Sequence, residues 1–280
     1  MKETWEAVFA SKPERLNKFP EILSGLEIEE IKSAGRLAIA EIAGRDSVAA
    51  VVVAAKDGLF DALIPTVVYV PTEYGDWGAI LKTSEALQAE VASRFGKRVF
   101  PPLLIGSADL WHALNGRFLS VLNERFGTFS PCPGCHLYMH ISRIPIAKLL
   151  GARIVITGER ESHDGKVKIN QTPMALDFYQ EVYRAFDLEL VMPLRRVAST
   201  EEVQALAGGA WSDATNKQLT CVFSANYVRL DGDVSYREGA WRSWFEDYLV
   251  PAVKEIISQL IEGRNVEYLR VARKYVADNP

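Results

Sequence analysis

The stretch Pro131-Cys132-Pro133-Gly134-Cys135-His136 holds two of the only three cysteines in the 280-residue chain, and the third, Cys221, follows far downstream in QLTCVFSANY. Thiols at this spacing support several chemistries. Cys-x-x-Cys-His is the attachment signature of c-type haem, but that chemistry belongs to exported proteins. The N-terminal MKETWEAVFASKPERLNKF is charged and interrupted, without the apolar core of a signal peptide. A redox pair needs the thiols at a helix start, where the dipole lowers a thiol pKa. A structural zinc needs four ligands, so the cysteines would require His136, His140 or His112 as the fourth. A [4Fe-4S] cluster can take all three thiolates and leave one iron open. In a persulfide mechanism one thiolate carries sulfur and the second resolves it as a disulfide. Plain burial of small side chains would leave the paired spacing a coincidence.

Two other stretches carry polar groups in apolar surroundings. In Ala43-Gly44-Arg45-Asp46-Ser47 an apolar run gives way to a glycine turn and then to a helical pattern. Glycine lets the backbone approach an anion, and the first helical N–H groups point outward with the positive end of the dipole. Ser47 adds a hydroxyl donor, and Asp46 suits Mg²⁺ or the helix cap. A well-capped helix with no ligand is the plainer reading of the same residues. The second stretch, TGERESHDGK from Thr157, follows another apolar run. It supplies Gly158, Glu159, Arg160 and His163, with Lys166 and Lys168 close behind. Lys166 reads as an alternate exposed position on a strand, and His163 as a surface loop residue.

The elements that must position these groups alternate. RLAIAEIA reads as a buried strand and VAAVVVAAKDG as a helix ending at glycine. PTVVYVPTEYG is a second strand, ILKTSEALQAEVASRFG an amphipathic helix, and KRVFPPLLIG a third strand interrupted by prolines. ADLWHALNGRFLSVLNERFG reads as helix. HLYMHISRIPIAKLLGA is a helix that Pro145 must start, kink or split. RIVITGE and LELVMPL are further strands, and STEEVQALAG is a helix capped by Ser199 or Thr200. Strands alternating with helices predict a doubly wound α/β parallel sheet, Rossmann-like, with ligands beyond the carboxyl ends of its strands. Helical extensions over residues 1–34 and 236–280 flank an α/β domain over 35–235. The spacing of Trp241, Trp244 and Phe245 fits core or homodimer packing better than base stacking.

Composition excludes some classes. With 48% hydrophobic and 24% charged residues and a formal charge of −4, the chain has no general attraction to phosphate backbones. No segment approaches the roughly 18 uninterrupted apolar residues of a membrane span. The cytoplasm, where thiols stay reduced, is the expected location.

RLAIAEIAGRDSVAA resembles the signature of the PP-loop ATP pyrophosphatase superfamily, a strand leading into Ser-Gly-Gly-x-Asp-Ser and a helix. Gly44, Asp46 and Ser47 match its second glycine, aspartate and final serine, while Ile42 and Ala43 replace the first serine and glycine. SPCPGCHLYMHISRIPIAKLLGARIVITGE, KINQT and VMPLRRVASTEEV look like the corresponding segments of tRNA-thiolating, sulfur-transferring members. The resemblance runs from Arg36 to Leu206. It implies a PP-loop fold and cleavage of ATP to AMP and pyrophosphate, with AMP transferred to a substrate oxygen that sulfur or nitrogen then displaces. Gly44, Arg45, Asp46 and Ser47 would hold ATP and Mg²⁺, with Thr157, Gly158, Glu159, Arg160 and Lys168 closing the nucleotide pocket. Cys132, Cys135 and Cys221 would carry the sulfur chemistry, on a [4Fe-4S] cluster or as free thiols. The implied function is an ATP-dependent sulfur transferase acting on tRNA or a small metabolite with a sulfur donor. The alternatives are an amide or C–N bond-forming ligase with Zn²⁺ on the cysteines, and a nucleotide-binding protein without catalysis.

Overall fold

A computed structural model describes residues 13, 16–127, 130–212 and 218–277. Part of the expected N-terminal extension, residues 1–12 and 14–15, therefore lies outside the described residues.

Among the described residues, eight strands run in chain order: β1 Leu37–Glu41, β2 Ala62–Val68, β3 Glu73–Tyr74, β4 Arg98–Val99, β5 Leu103–Ile105, β6 Ile154–Ile156, β7 Glu189–Val191 and β8 Thr220–Cys221. Six form one parallel sheet in the order β4-β2-β1-β6-β7, with β5 also on β2. Arg98 and Val99 pair with the start of β2 and Leu103 to Ile105 with its end. Pro101 and Pro102 interrupt what is in effect one edge strand, because a proline cannot donate to the ladder. From β1 the chain moves outward to β2, and later from β6 outward the other way to β7. The connections therefore reverse between β1 and β6, and the turns after these two strands flank the switch point.

Alternation along β1 sends Leu37 and Ile39 into one core cluster and Ala38 and Ala40 into the other. Both faces are covered. On the second face lie the helices Arg45–Lys56, Trp77–Phe95 and Thr200–Ala207. Val48, Val51 and Val52 are buried in the first of these. Burying a valine contributes about 1.5–3 kcal/mol, against a helix-propensity deficit of at most ~0.7 kcal/mol, so burial outweighs their strand preference.

The first face carries Pro131–Ile141, Ile144–Leu150, Pro173–Arg184 and the C-terminal helices. Pro145 splits the first pair as expected: its ring clashes with the carbonyl of residue 141, where the preceding helix ends. Trp241, Trp244 and Phe245 are fully buried in this same core, so the C-terminal helices are an integral layer of it. Among the described residues, no helix is long and apolar enough to cross a membrane.

Candidate functional site

Pro131 occupies the first turn of its helix, where its missing N–H costs nothing, and Ser130 caps that turn by accepting from the Cys132 N–H. Cys132 and Cys135 thus lie inside the helix start rather than ahead of it. Cys221 arrives from the opposite side on β8, which pairs antiparallel with β3, Glu73 facing Cys221. Asn226, just beyond, donates to Cys132 Sγ at 3.5 Å and accepts from Ser130 Oγ at 2.8 Å. The structure therefore brings Cys221 toward the pair, close enough for a charge on it to oppose ionisation of both partners. All three cysteines are free thiols. Burial pushes the Cys132 thiol up and the Cys135 thiol well up, the latter against a 3.2 Å hydrogen bond from Trp111 Nε1. The Phe223 N–H reaches Cys221 Sγ at 3.4 Å. Each sulfur thus has an N–H donor, as thiolates bound to a cluster use.

His136 and His140 on this helix, and Arg143 in the turn that follows it, project toward the carboxyl ends of β1 and β6. Arg143 meets Glu41, the last residue of β1, at 3.8 Å. It also donates to Thr66 Oγ1 at 2.8 Å and to the Met139 carbonyl at 2.6 Å. Thr157 donates its hydroxyl to Glu41.

His136 and His140 meet Glu159 instead. One carboxylate oxygen takes His136 Nδ1 at 2.8 Å and His140 Nε2 at 2.9 Å, and Gln171 donates to the other oxygen. Asn170 lies 2.7 Å from His136 Nε2. Burial opposes charge on both His136 and Glu159. Their mutual attraction and hydrogen bond prevail, raising the His136 pKa and, with His140 assisting, holding Glu159 well below the usual carboxylate range. Both rings are committed to Glu159, and His112 lines a separate cleft of about 1420 Å³ with Arg117, Arg264 and Tyr268. A fourth zinc ligand for the cysteines does not come from these histidines.

The β1 turn is closed on itself. Ser47 Oγ accepts from the Ala43 and Gly44 N–H groups at 3.0 and 3.1 Å and donates to the Gly44 carbonyl at 2.7 Å. Asp46 is held by Arg160 at 2.8 Å and Arg45 at 3.5 Å. Arg160 is itself buried and anchored on Ala198 and Thr200. Gly158 packs directly on this turn: a Cβ there would stand 2.4 Å from Ser47 N. The turns after β1 and β6 therefore touch at the switch point, and only glycine permits it. Gln218 covers Gly44, where a Cβ would meet its side-chain amide. Beside it, Glu41, Ala43, Glu73, Arg143 and Leu219 line a cavity of about 30 Å³.

Lys168 faces this group. Desolvation lowers its pKa although Asp46 and Glu159 act in the other direction. Lys166 is exposed, but Val167 and Lys168 are exposed too, so the expected strand with alternating exposure is not formed. His163 is not a surface loop residue: it is only 4% exposed, with neither ring nitrogen hydrogen-bonded. Burial, with Lys168 and Arg160 adding to it, brings its pKa down to about 4. The residues that sequence reasoning missed in these roles are Glu41, Arg143, Asn170, Gln171 and Gln218. For Glu41 the sequence did carry a signal, an acidic residue ending an otherwise apolar strand.

A mostly parallel α/β sheet covered by helices on both faces, with its polar residues gathered at the switch point, defines an α/β protein consistent with a Rossmann-like fold. No family model matches the chain. "Uncharacterized protein MJ0009" of Methanocaldococcus jannaschii is 35% identical over 254 residues, covering 90% of this chain and 88% of that protein. The chain belongs to the family of that archaeal protein.

Proposed function

We propose that this protein is an ATP-dependent sulfur transferase of the PP-loop ATP pyrophosphatase type. The observation that carries the reading is the Asn226 hydrogen bond to Cys132 Sγ, which sets the segment that carries Cys221 against the helix start that carries Cys132 and Cys135. In such sheets the switch point is where nucleotides bind. A substrate carbonyl or hydroxyl oxygen attacks the α-phosphorus of ATP, the bond to the β-phosphate oxygen breaks, and pyrophosphate leaves. Arg45 and Arg160, once released from Asp46, and Lys168 would offset the negative charge that develops. Hydrosulfide or an equivalent two-electron sulfur nucleophile then displaces AMP, with no net redox change.

Gly44 and the first turn of its helix would receive the phosphates, with Asp46 near Mg²⁺. That requires Gln218 to withdraw from Gly44 and Ser47 to release its backbone partners. The three thiols, each with an N–H donor, fit a three-cysteine [4Fe-4S] cluster. Bound there, such a cluster would supply an open iron for sulfur.

The test is pyrophosphate release from ATP in the presence of a sulfide donor, screened against bulk tRNA and small carboxylates and amides. Wild-type protein should release pyrophosphate with a thiolated product. Cys221→Ser should keep the release and lose the thiolation. Absence of release with every substrate class, from protein whose metal content has been restored, would contradict the reading.

A further inference from the structure

Among the described residues, one set of His, Cys, Asp or Glu side chains has ligand atoms spaced for a single metal ion: His136, His140 and Glu159, all within 4.8 Å of one another. We propose that His136 Nδ1, His140 Nε2 and Glu159 Oε1 bind one divalent first-row cation, zinc or iron(II), in a centre separate from the cysteines. Two imidazoles and one carboxylate are the donor set that these two cations favour. The donors come from two rigid places: one helix face carries both histidines at i and i+4, and Glu159 follows the end of β6.

The surroundings of His136 and Glu159, though not of His140, are built as metal sites are. A ligating histidine usually has its second nitrogen hydrogen-bonded, and a ligating carboxylate its second oxygen. Asn170 stands at His136 Nε2, and Gln171 at Glu159 Oε2. With metal on Nδ1, the His136 proton moves to Nε2 and the Asn170 amide turns its oxygen to accept it. His140 and Glu159 are 0% and 3% exposed, and His136 is 26% exposed. The ion would be gripped from the interior while its open position faces solvent. His140 Nδ1 and Gln171 Oε1 are buried without a hydrogen-bond partner, so the cluster leaves polar capacity unused.

Tetrahedral ligands at about 2.0–2.1 Å from zinc stand about 3.3 Å apart. The present 2.8 and 2.9 Å contacts therefore need to open by about 0.5 Å, and the His136 Nδ1 to His140 Nε2 separation, which is within 4.8 Å, has to come to the same spacing. This proposal is independent of the sulfur-transfer reading, and either can fail alone.

The experiment is a Co²⁺ titration of the full chain followed by absorption, with zinc and iron analysis of the purified protein. Cys132→Ser/Cys135→Ser/Cys221→Ser should still bind one equivalent, with the d–d bands of nitrogen and oxygen ligands and no thiolate charge-transfer band. In the otherwise wild-type chain, His136→Asn and Glu159→Gln should each weaken that nitrogen–oxygen signal at least 10-fold and leave any thiolate band intact. Two results would overturn the proposal: d–d bands that persist unchanged in both single variants, or wild-type protein that shows only thiolate-bound cobalt. Whichever of zinc and iron copurifies with the nitrogen–oxygen site identifies the resident cation.

Discussion

Glu41 and Glu159 are two buried carboxylates at the ends of neighbouring strands, the second facing the helix Pro131–Ile141 and the first the turn that follows it. Glu41 takes Arg143, whose guanidinium is also satisfied by Thr66 and the Met139 carbonyl, and accepts the Thr157 hydroxyl. Glu159 takes two imidazoles and an amide, and leaves His140 Nδ1 and Gln171 Oε1 without partners. A guanidinium is permanently charged and cannot ligate a metal, whereas imidazoles can lose a proton and bind one. The first arrangement ties β1 to the turn between the two helices. The second keeps capacity for chemistry.

That contrast is open to breakage by mutation. Arg143→Met should cost about 3–5 kcal/mol in denaturant unfolding, because it leaves Glu41 buried with its charge uncompensated. Glu159→Gln should cost less, about 1–2 kcal/mol, since an amide can still accept one of the histidine hydrogen bonds. If Glu159→Gln proved the more destabilising, the assignment of structural and chemical roles would be reversed.

The next largest effect belongs to Gly158. Its Cβ would meet the backbone of Asp46 and Ser47, which cannot turn aside, so Gly158→Ala should lose about 1–3 kcal/mol by thermal or denaturant unfolding. At Gly44 the obstacle is the end of a Gln218 side chain, and Gly44→Ala should cost less than about 1 kcal/mol. A loss at Gly44 as large as that at Gly158 would mean that Gln218 is fixed, which weakens its role as a movable cover.

Acid should expose a further difference. His163 keeps its neutral form down to about 4, against an ordinary 6.5, through burial and its Lys168 and Arg160 neighbours, with Asp46 opposing. The unfolded chain therefore binds a proton first, and stability falls as pH drops from 6.5 to 4, then levels. His163→Gln should flatten that limb in pH-dependent unfolding, and an unchanged limb would contradict it. The smallest effect is kinetic: iodoacetamide should modify Cys132 and Cys221 before Cys135, whose thiol is buried and raised furthest. Peptide mass spectrometry reads the order.

Much of this frame was legible in the chain. Apolar runs such as RLAIAEIA and RIVITGE read as the central strands they are, and Pro145 placed the helix break. The AGRDS and TGE turns fall where a parallel sheet would put a ligand, because strands that alternate with helices run parallel and end on the same edge. What sequence could not show was pairing across distance. Nothing in PCPGCH says that its histidine turns to Glu159, nor that Gln218 lies on Gly44. The second contact depends on β8 crossing back to β3, two residues on each strand, too short to leave a periodic signal. His163 misled because a polar loop composition hid a buried ring.

The central claim is that Cys132, Cys135 and Cys221 act together in sulfur transfer, and iron and sulfide analysis of anaerobically reconstituted protein tests it most directly. The prediction is about four irons and four sulfides per chain, with the cluster lost in Cys132→Ser, Cys135→Ser and Cys221→Ser alike. A colourless, iron-free protein, or a cluster that survives Cys221→Ser unchanged, would contradict it.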